Sequence, residues 1–281
     1  MKIAITSDSV IDLSRELCEK YDIKIIPLNI ILGDNEYKEG EISQDDIFEF
    51  VSKTGKLPKT SALNSAGFVG YFTEILKEYD KIIHFDISGE MSATYSNAVV
   101  ASKEFDGKVE VIDSRTLSTG MALQAIYARE LTATISDIKE IADKVRARAD
   151  SVQASFVIEK LDYLHKGGRC SAAAKFGANL LRLRPQIIVK DGKMGSYKTY
   201  RGSMDRCVKN YCEDTLAEFN TYDKHVAFLT YSSATDEMKK IAREALENAG
   251  FENIYETRAG ATVCSHCGPN TLGILYYNDA K

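Results

Sequence analysis

No stretch of this 281-residue chain approaches the roughly 20 consecutive apolar residues that a membrane-crossing helix needs, so any membrane role is confined to transient contact with the surface. The N-terminal residues enter directly into Lys2-Ile3-Ala4-Ile5-Thr6, without the basic, then apolar, then small-residue pattern of an export signal, and a cytoplasmic location is expected. There is no basic excess either. The formal net charge is -5 and Lys and Arg are spread along the chain, which argues against a general nucleic-acid binder. Tryptophan is absent, leaving Tyr and Phe to carry aromatic packing. The six cysteines are too dispersed for a small disulfide scaffold, and reduced thiols fit better. The phosphate-loop pattern Gly-x-x-x-x-Gly-Lys-Ser/Thr and the dinucleotide pattern Gly-x-Gly-x-x-Gly are both missing, so neither ATP nor NAD binding has sequence support. The Gly-x-Ser-x-Gly elbow of the α/β hydrolases is missing as well. No low-complexity segment or fixed-period repeat divides the chain.

What the chain does have is alternation. Short β-branched runs at Lys2 to Thr6, Lys24 to Leu32, Lys81 to Ile87, Lys108 to Ile112 and Val152 to Ile158 are mostly separated by segments of helical periodicity, the pattern of an α/β protein with a parallel sheet. One helix start is well marked, with Ser43 as N-cap, Asp45 and Asp46 at the positive helix end, and Ile42 stapled to Ile47. Its buried stripe is expected to be Ile47, Phe50 and Val51. Further helices are expected from about Ser65, where Phe68, Phe72, Ile75 and Leu76 share a face, over Met121 to Thr132 and over Ser136 to Arg148. Beyond about Val152 the texture changes. A strand at Gln186 to Lys190 leads through Asp191-Gly192, a hairpin signal, into Lys193 to Arg201. Helices at Ser203 to Asn220 and Asp236 to Asn248 follow, among strands at His225 to Tyr231, Asn253 to Arg258 and Leu272 to Tyr276. These features predict an N-terminal α/β domain over residues 1–149 and a C-terminal mixed α/β domain over residues 150–281, with an approximate boundary.

In an open parallel sheet, ligands bind beyond the carboxyl ends of the strands. Hydroxyls crowd there: Ser7-Asp8-Ser9, Ser88 to Ser92 and Asp113-Ser114 follow strands, and Thr60-Ser61 precedes a helix. Ser92 falls at the start of a helix over Ala93 to Lys103, where free backbone N–H groups and the helix dipole favour a carboxylate or phosphate oxygen. Ordinary capping explains any one such residue, and their convergence on one edge weakens that explanation. Ser92 with His266 could form a nucleophile–base pair, though no orienting acid is evident. Cys264-Ser265-His266-Cys267 has the spacing of half a zinc site, but only Cys207 and Cys212 could add ligands, and buried small hydrophobes are the simpler reading. Lys166-Gly167-Gly168-Arg169 joins a flexible turn to a cation suited either to a ligand carboxylate or to a neighbouring Asp or Glu.

Taken in order, Ser7-Asp8-Ser9, Lys59-Thr60-Ser61, Ser88-Gly89-Glu90-Met91-Ser92-Ala93-Thr94-Tyr95-Ser96-Asn97-Ala98, Lys166-Gly167-Gly168-Arg169 and Ser265-His266-Cys267-Gly268-Pro269 resemble the DegV family of bacterial fatty-acid-binding proteins along essentially the whole chain. The resemblance implies two domains with a long-chain fatty acid such as palmitate between them, its tail deep inside and its carboxylate held by Thr60, Ser61, Ser92 and His266. It also implies a carrier without cofactor, metal or chemistry of its own, serving a separate fatty acid kinase whose acyl phosphate feeds phospholipid synthesis. Arg169 is a supporting position, and Arg201 matches a basic position that faces the kinase or is simply solvated. A serine acyltransferase or lipid hydrolase using Ser92 and His266 is the competing reading. The chain departs from the family pattern at Ala62-Leu63-Asn64, where Gln-Pro-Ser is usual, at Ala93 in place of Gly, and at Asn270, which replaces the Gly of Gly-Pro-Gly.

Overall fold

The fold is taken from a computed structural model, which describes residues 1–170 and 183–279. The chain begins as a four-stranded parallel sheet in the order β2-β1-β6-β7, built from β1 (Ile3–Asp8), β2 (Ile23–Ile26), β6 (Lys81–Asp86) and β7 (Val109–Asp113). β1, beside β6 at its centre, is buried at every position: Ile3, Ala4 and Ile5 form a continuous apolar run, and the buried Thr6, Ser7 and Asp8 that follow are each hydrogen-bonded. The run from Lys24 to Leu32 is two strands and not one. Pro27, which has no N–H to give a ladder, separates β2 from β3 (Asn29–Leu32), and β3 leaves for a small antiparallel sheet in the order β4-β3-β5, with β4 (Asn35–Lys38) and β5 (Lys59–Ser61). The turn between them is fixed by Ser9, whose hydroxyl accepts the Leu28 N–H at 3.0 Å.

Helix α1 (Arg15–Tyr21) starts at Ser14, and α2 (Gln44–Thr54) starts at the expected N-cap Ser43, which also forms a capping box with Asp46, each side chain bonding the other's backbone N–H. Ile47 is the buried anchor of α2, packed with Ile30, while Phe50 and Val51 are only half-buried. Helices α3 (Ser65–Ile75) and α4 (Thr94–Ser102) cover one face of the parallel sheet, with Phe68, Phe72 and Ala98 against Ile82 and Val111. Helices α5 (Thr119–Leu131) and α6 (Ile138–Arg148) cover the other. Nine residues of α5 are buried, because it packs between this sheet and the next and reaches solvent only near its C-terminal end, where Glu130 is exposed.

The second sheet is mixed, with six strands in the order β10-β9-β8-β13-β11-β12: β8 (Val152–Val157), β9 (Leu183–Lys190), β10 (Lys193–Arg201), β11 (Val226–Tyr231), β12 (Asn253–Arg258) and β13 (Leu272–Tyr277). The β9–β10 hairpin turns through Asp191 and Gly192, both at positive φ as a type I′ turn requires. Its outer face is covered by α8 (Met204–Glu218) and α9 (Asp236–Ala249), where Cys207 and Cys212 are buried core residues. Two short helices, α7 (Asp162–Gly167) and α10 (Ala261–Cys267), lie beside each other on the inner side. One apolar core runs without a break from Ile5 and Phe85 through Met121 and Ile126 to Phe228 and Leu275, so the two sheets share it. No helix among the described residues is long and apolar enough to cross a membrane.

Candidate functional site

Loops from both halves of the chain enclose a cavity of about 200 Å³ whose wall is mainly apolar. On the N-terminal side Asp8 organises it. One carboxylate oxygen accepts the Val10 N–H at 2.8 Å and the other the Ile87 N–H at 2.9 Å, which ties the loop after β1 to the loop after β6. Val10 and Ile87 are both wall residues. Asp8 is buried among acids, and burial followed by the nearby Asp86 pushes its carboxyl well above the ordinary range. The Ser88 to Ser92 loop then carries the chain into α4. Ser88 donates to the Gly192 carbonyl at 2.8 Å, and Glu90 pairs with Lys193 at 3.1 Å, so the tip of the β9–β10 hairpin is held against this loop and Met194 joins the wall.

Ser92 lies just ahead of α4, whose N-cap position is Ala93 and offers no side-chain bond. The Ser92 hydroxyl accepts the Thr94 N–H at 3.2 Å and meets Thr94 Oγ1 at 2.7 Å, so it both caps the helix and lines the cavity at the positive end of the helix dipole. Thr60 and Ser61, at the end of β5, line the same mouth. His266 sits on the last turn of α10, and its Nε2 is 2.9 Å from Thr60 Oγ1. Burial first, and the nearby Arg169 second, lower the imidazole to about 4, so it is neutral at pH 7. Its Nδ1 is buried without a partner. A bare lone pair in that place costs less than a stranded N–H, so we assign the proton to Nε2, donating to Thr60 and leaving the Thr60 hydroxyl free to donate into the cavity.

Lys166-Gly167-Gly168-Arg169 closes the mouth at the end of α7. A Cβ on Gly167 would lie 2.7 Å from His266 Nδ1, so only glycine lets the ring seat there. Gly168, at φ 71°, ends the helix in the left-handed conformation. Arg169 lines the cavity from an exposed position and donates to the Gly167 carbonyl at 2.8 Å. Thr60, Ser61, Ser92, His266 and Arg169 are thus brought together, and Arg201 is not: it is exposed at the far end of β10, outside the cavity wall. Cys264 and Cys267 are buried, both thiols raised by burial, Cys267 to about 12, and Cys267 forms part of the wall. Among the described residues no cluster of three or more His, Cys, Asp or Glu is placed to hold a metal ion.

The pairing of Ser92 with His266 is not formed, because Thr60 occupies Nε2 and no acid orients Nδ1. Leu117, Val263 and Cys267 also line a second, smaller apolar cavity of about 30 Å³ that continues toward Ala154, Phe156 and Leu275. Sequence reading missed these wall residues, and Met91 and Met194 with them, since each looks like any other core position. It also missed Asp12 and Glu39, whose carboxylates accept from the N-terminal backbone N–H groups of α10.

The chain folds as a two-domain α/β protein with a cavity whose wall is mainly apolar and also carries the hydroxyls of Thr60, Ser61, Ser92 and Thr262 and the imidazole of His266. The chain matches the DegV family, described as an uncharacterised protein family, over residues 2–279, and it belongs to that family. It is 33% identical to a fatty acid-binding protein of Thermotoga maritima, over 97% of this chain and 96% of that one. Among solved structures it resembles a DegV family protein from Thermus thermophilus described for its fatty acid binding, with a TM-score of 0.90 and 27% identity over 99% of both chains. A stearic acid-binding protein from Eubacterium ventriosum matches with a TM-score of 0.85 and 25% identity over 98% of both.

Proposed function

We propose that this protein binds a long-chain fatty acid of the palmitate class, the tail inside the shared core and the carboxylate at the mouth formed by Thr60, Ser61, Ser92 and His266. The observation that carries the reading is a mainly apolar cavity wall that also carries the Thr60, Ser61 and Ser92 hydroxyls and His266, in a chain whose relatives include fatty-acid-binding proteins. The domain division near residue 150 belongs to the same reading, as the ligand would touch both sides of it. Energetically the tail dominates. Burying about fourteen methylenes at roughly 0.8 kcal/mol each gives on the order of 11 kcal/mol before association costs, against roughly 1.5–3 kcal/mol for a hydrogen bond to the carboxylate.

The finer reading makes the protein a presenter: a separate fatty acid kinase transfers the terminal phosphoryl of ATP to the exposed carboxylate oxygen, giving an acyl phosphate for phospholipid synthesis. Arg169 at the mouth and the exposed Arg201 are its proposed supporting and kinase-facing cations. The geometry gives Ser92 and His266 no mutual contact for acyl chemistry, so the acyltransferase reading lacks its basis. The test is binding of palmitate to delipidated wild type, Thr60→Ala and Ser92→Ala. Each substitution should weaken binding about tenfold or more while retaining it. Complete loss of lipid in a folded Ser92→Ala protein would contradict tail dominance. With a cognate kinase, His266→Ala should slow phosphoryl transfer more than it weakens lipid retention, and unchanged turnover would count against the presenting role.

A further inference from the structure

The helix that carries His266 begins at a residue with no side chain. Gly260 is the N-cap of α10 and gives no capping bond, yet the first N–H groups of any helix need acceptors. Glu39, immediately after β4, supplies them from the opposite end of the sequence. Its carboxylate accepts from the Ala261 N–H, from the Thr262 N–H at 2.9 Å and from the Thr262 hydroxyl. Glu39 is itself anchored, its backbone N–H donating to the Leu28 carbonyl at 2.8 Å. Asp12 stands beside it, accepting from the Gly260 N–H at 2.7 Å and from the Ser118 hydroxyl at 2.5 Å. A Cβ at residue 260 would lie 2.6 Å from Glu39 Oε1 and 3.2 Å from Asp12 Oδ1, so the glycine is what admits both carboxylates.

The other end of α10 is held by the same small sheet. Glu39 follows β4 and Thr60 belongs to β5, the two strands that flank β3, and Thr60 bonds His266 on the last turn of the helix. Between these grips Ile30 of β3 packs in one buried cluster with Ala261. From Ala261 to His266 the helix rises about 8 Å at 1.5 Å per residue. The sheet therefore spans α10 and sets where the imidazole meets Thr60.

We infer that Glu39 is a positioning residue for the head-group end of the cavity, holding α10 so that His266 orients the Thr60 hydroxyl toward a ligand carboxylate. This rests on the fatty-acid reading above and adds a residue to it that touches no ligand. Removing the grip lets α10 shift against β5, which loosens the His266–Thr60 contact and leaves the tail cavity walls, largely on other elements, in place.

The test compares two probes with one tail, palmitate and hexadecanol, on delipidated wild type, Glu39→Gln and Glu39→Asp. Wild type should prefer palmitate. Glu39→Gln, which keeps the size but loses the charge and half of the acceptors, should lower palmitate affinity about tenfold and leave hexadecanol within about twofold, so the preference for the acid collapses. Glu39→Asp keeps the charge one methylene short of the helix and gives the same loss of preference if Glu39→Gln proves too unstable to isolate. Equal loss for both probes, or no change in either, would overturn the role of Glu39. Wild type that bound neither would sink the fatty-acid reading itself, a different result from either.

Discussion

At the scale of single residues, the Thr60 hydroxyl has two partners to satisfy, the imidazole behind it and the space in front. If it accepts from His266 Nε2 and donates forward, Thr60→Val removes the forward bond and also strands the buried imidazole N–H, so palmitate affinity should fall by about tenfold and the melting temperature should drop with it. An unchanged affinity would place the carboxylate elsewhere. His266 has a second signature. Its folded-state value near 4 lies below its ordinary 6.5, so it contributes stability that is complete above 6.5 and disappears as the pH falls through 4. The contribution is on the order of 3 kcal/mol. His266→Gln should therefore flatten the fall in stability between pH 6.5 and 4, measured by denaturant unfolding across that range. An identical acid limb in the variant would show that His266 is not the group responsible. Asp12 acts in the opposite sense: burial raises it from 3.8 to about 8, so its contribution is complete below 3.8 and is lost as the pH rises through 8.

At the scale of elements, what the sequence disclosed and what it concealed divide by the range of the interactions. The Ser43 N-cap of α2 and the Asp191-Gly192 turn are local chemistry, written within a few residues, and both stand where the pattern put them. The central strands β1 and β6 were legible because burial on both faces gives each a short run of apolar, mostly isoleucine residues. Pro27 is the local signal that breaks the run from Lys24 to Leu32 into two strands. α10 had no local signal at all. Its seven residues hold two cysteines that look like half a metal site, and its cap is Glu39, more than 200 positions away. The end of α6 is fixed by a similarly distant contact. Arg148, 8% exposed, donates through Nε and Nη2 to both oxygens of Asp279 at 2.8 Å, pairs with Asp223 and stacks 3.7 Å from the centre of the Tyr277 ring. Arg148→Ala strands both carboxylates and should cost about 3 kcal/mol in denaturant unfolding. A cost below about 1 kcal/mol would mean that water replaces the arginine.

At the scale of the whole molecule, the fold places two sheets around one buried helix, α5, and lets the loops of both meet over a cavity inside the shared core. Of the departures from the pattern the chain resembles, Ala62 and Ala93 line the cavity, whereas Asn270 lies outside its wall and takes the positive φ that Asn tolerates. A ligand seated there would bridge the halves of the chain, so palmitate should raise the melting temperature of the delipidated protein as binding to the folded state requires. The most direct test of the central claim is mass spectrometry of the purified protein, first native and then denatured, with the released molecules identified. The account predicts a noncovalent long-chain fatty acid that is present in the native spectrum and lost on denaturation. An acyl mass that stays on the chain after denaturation, or a protein that is empty and refuses added palmitate, would contradict it.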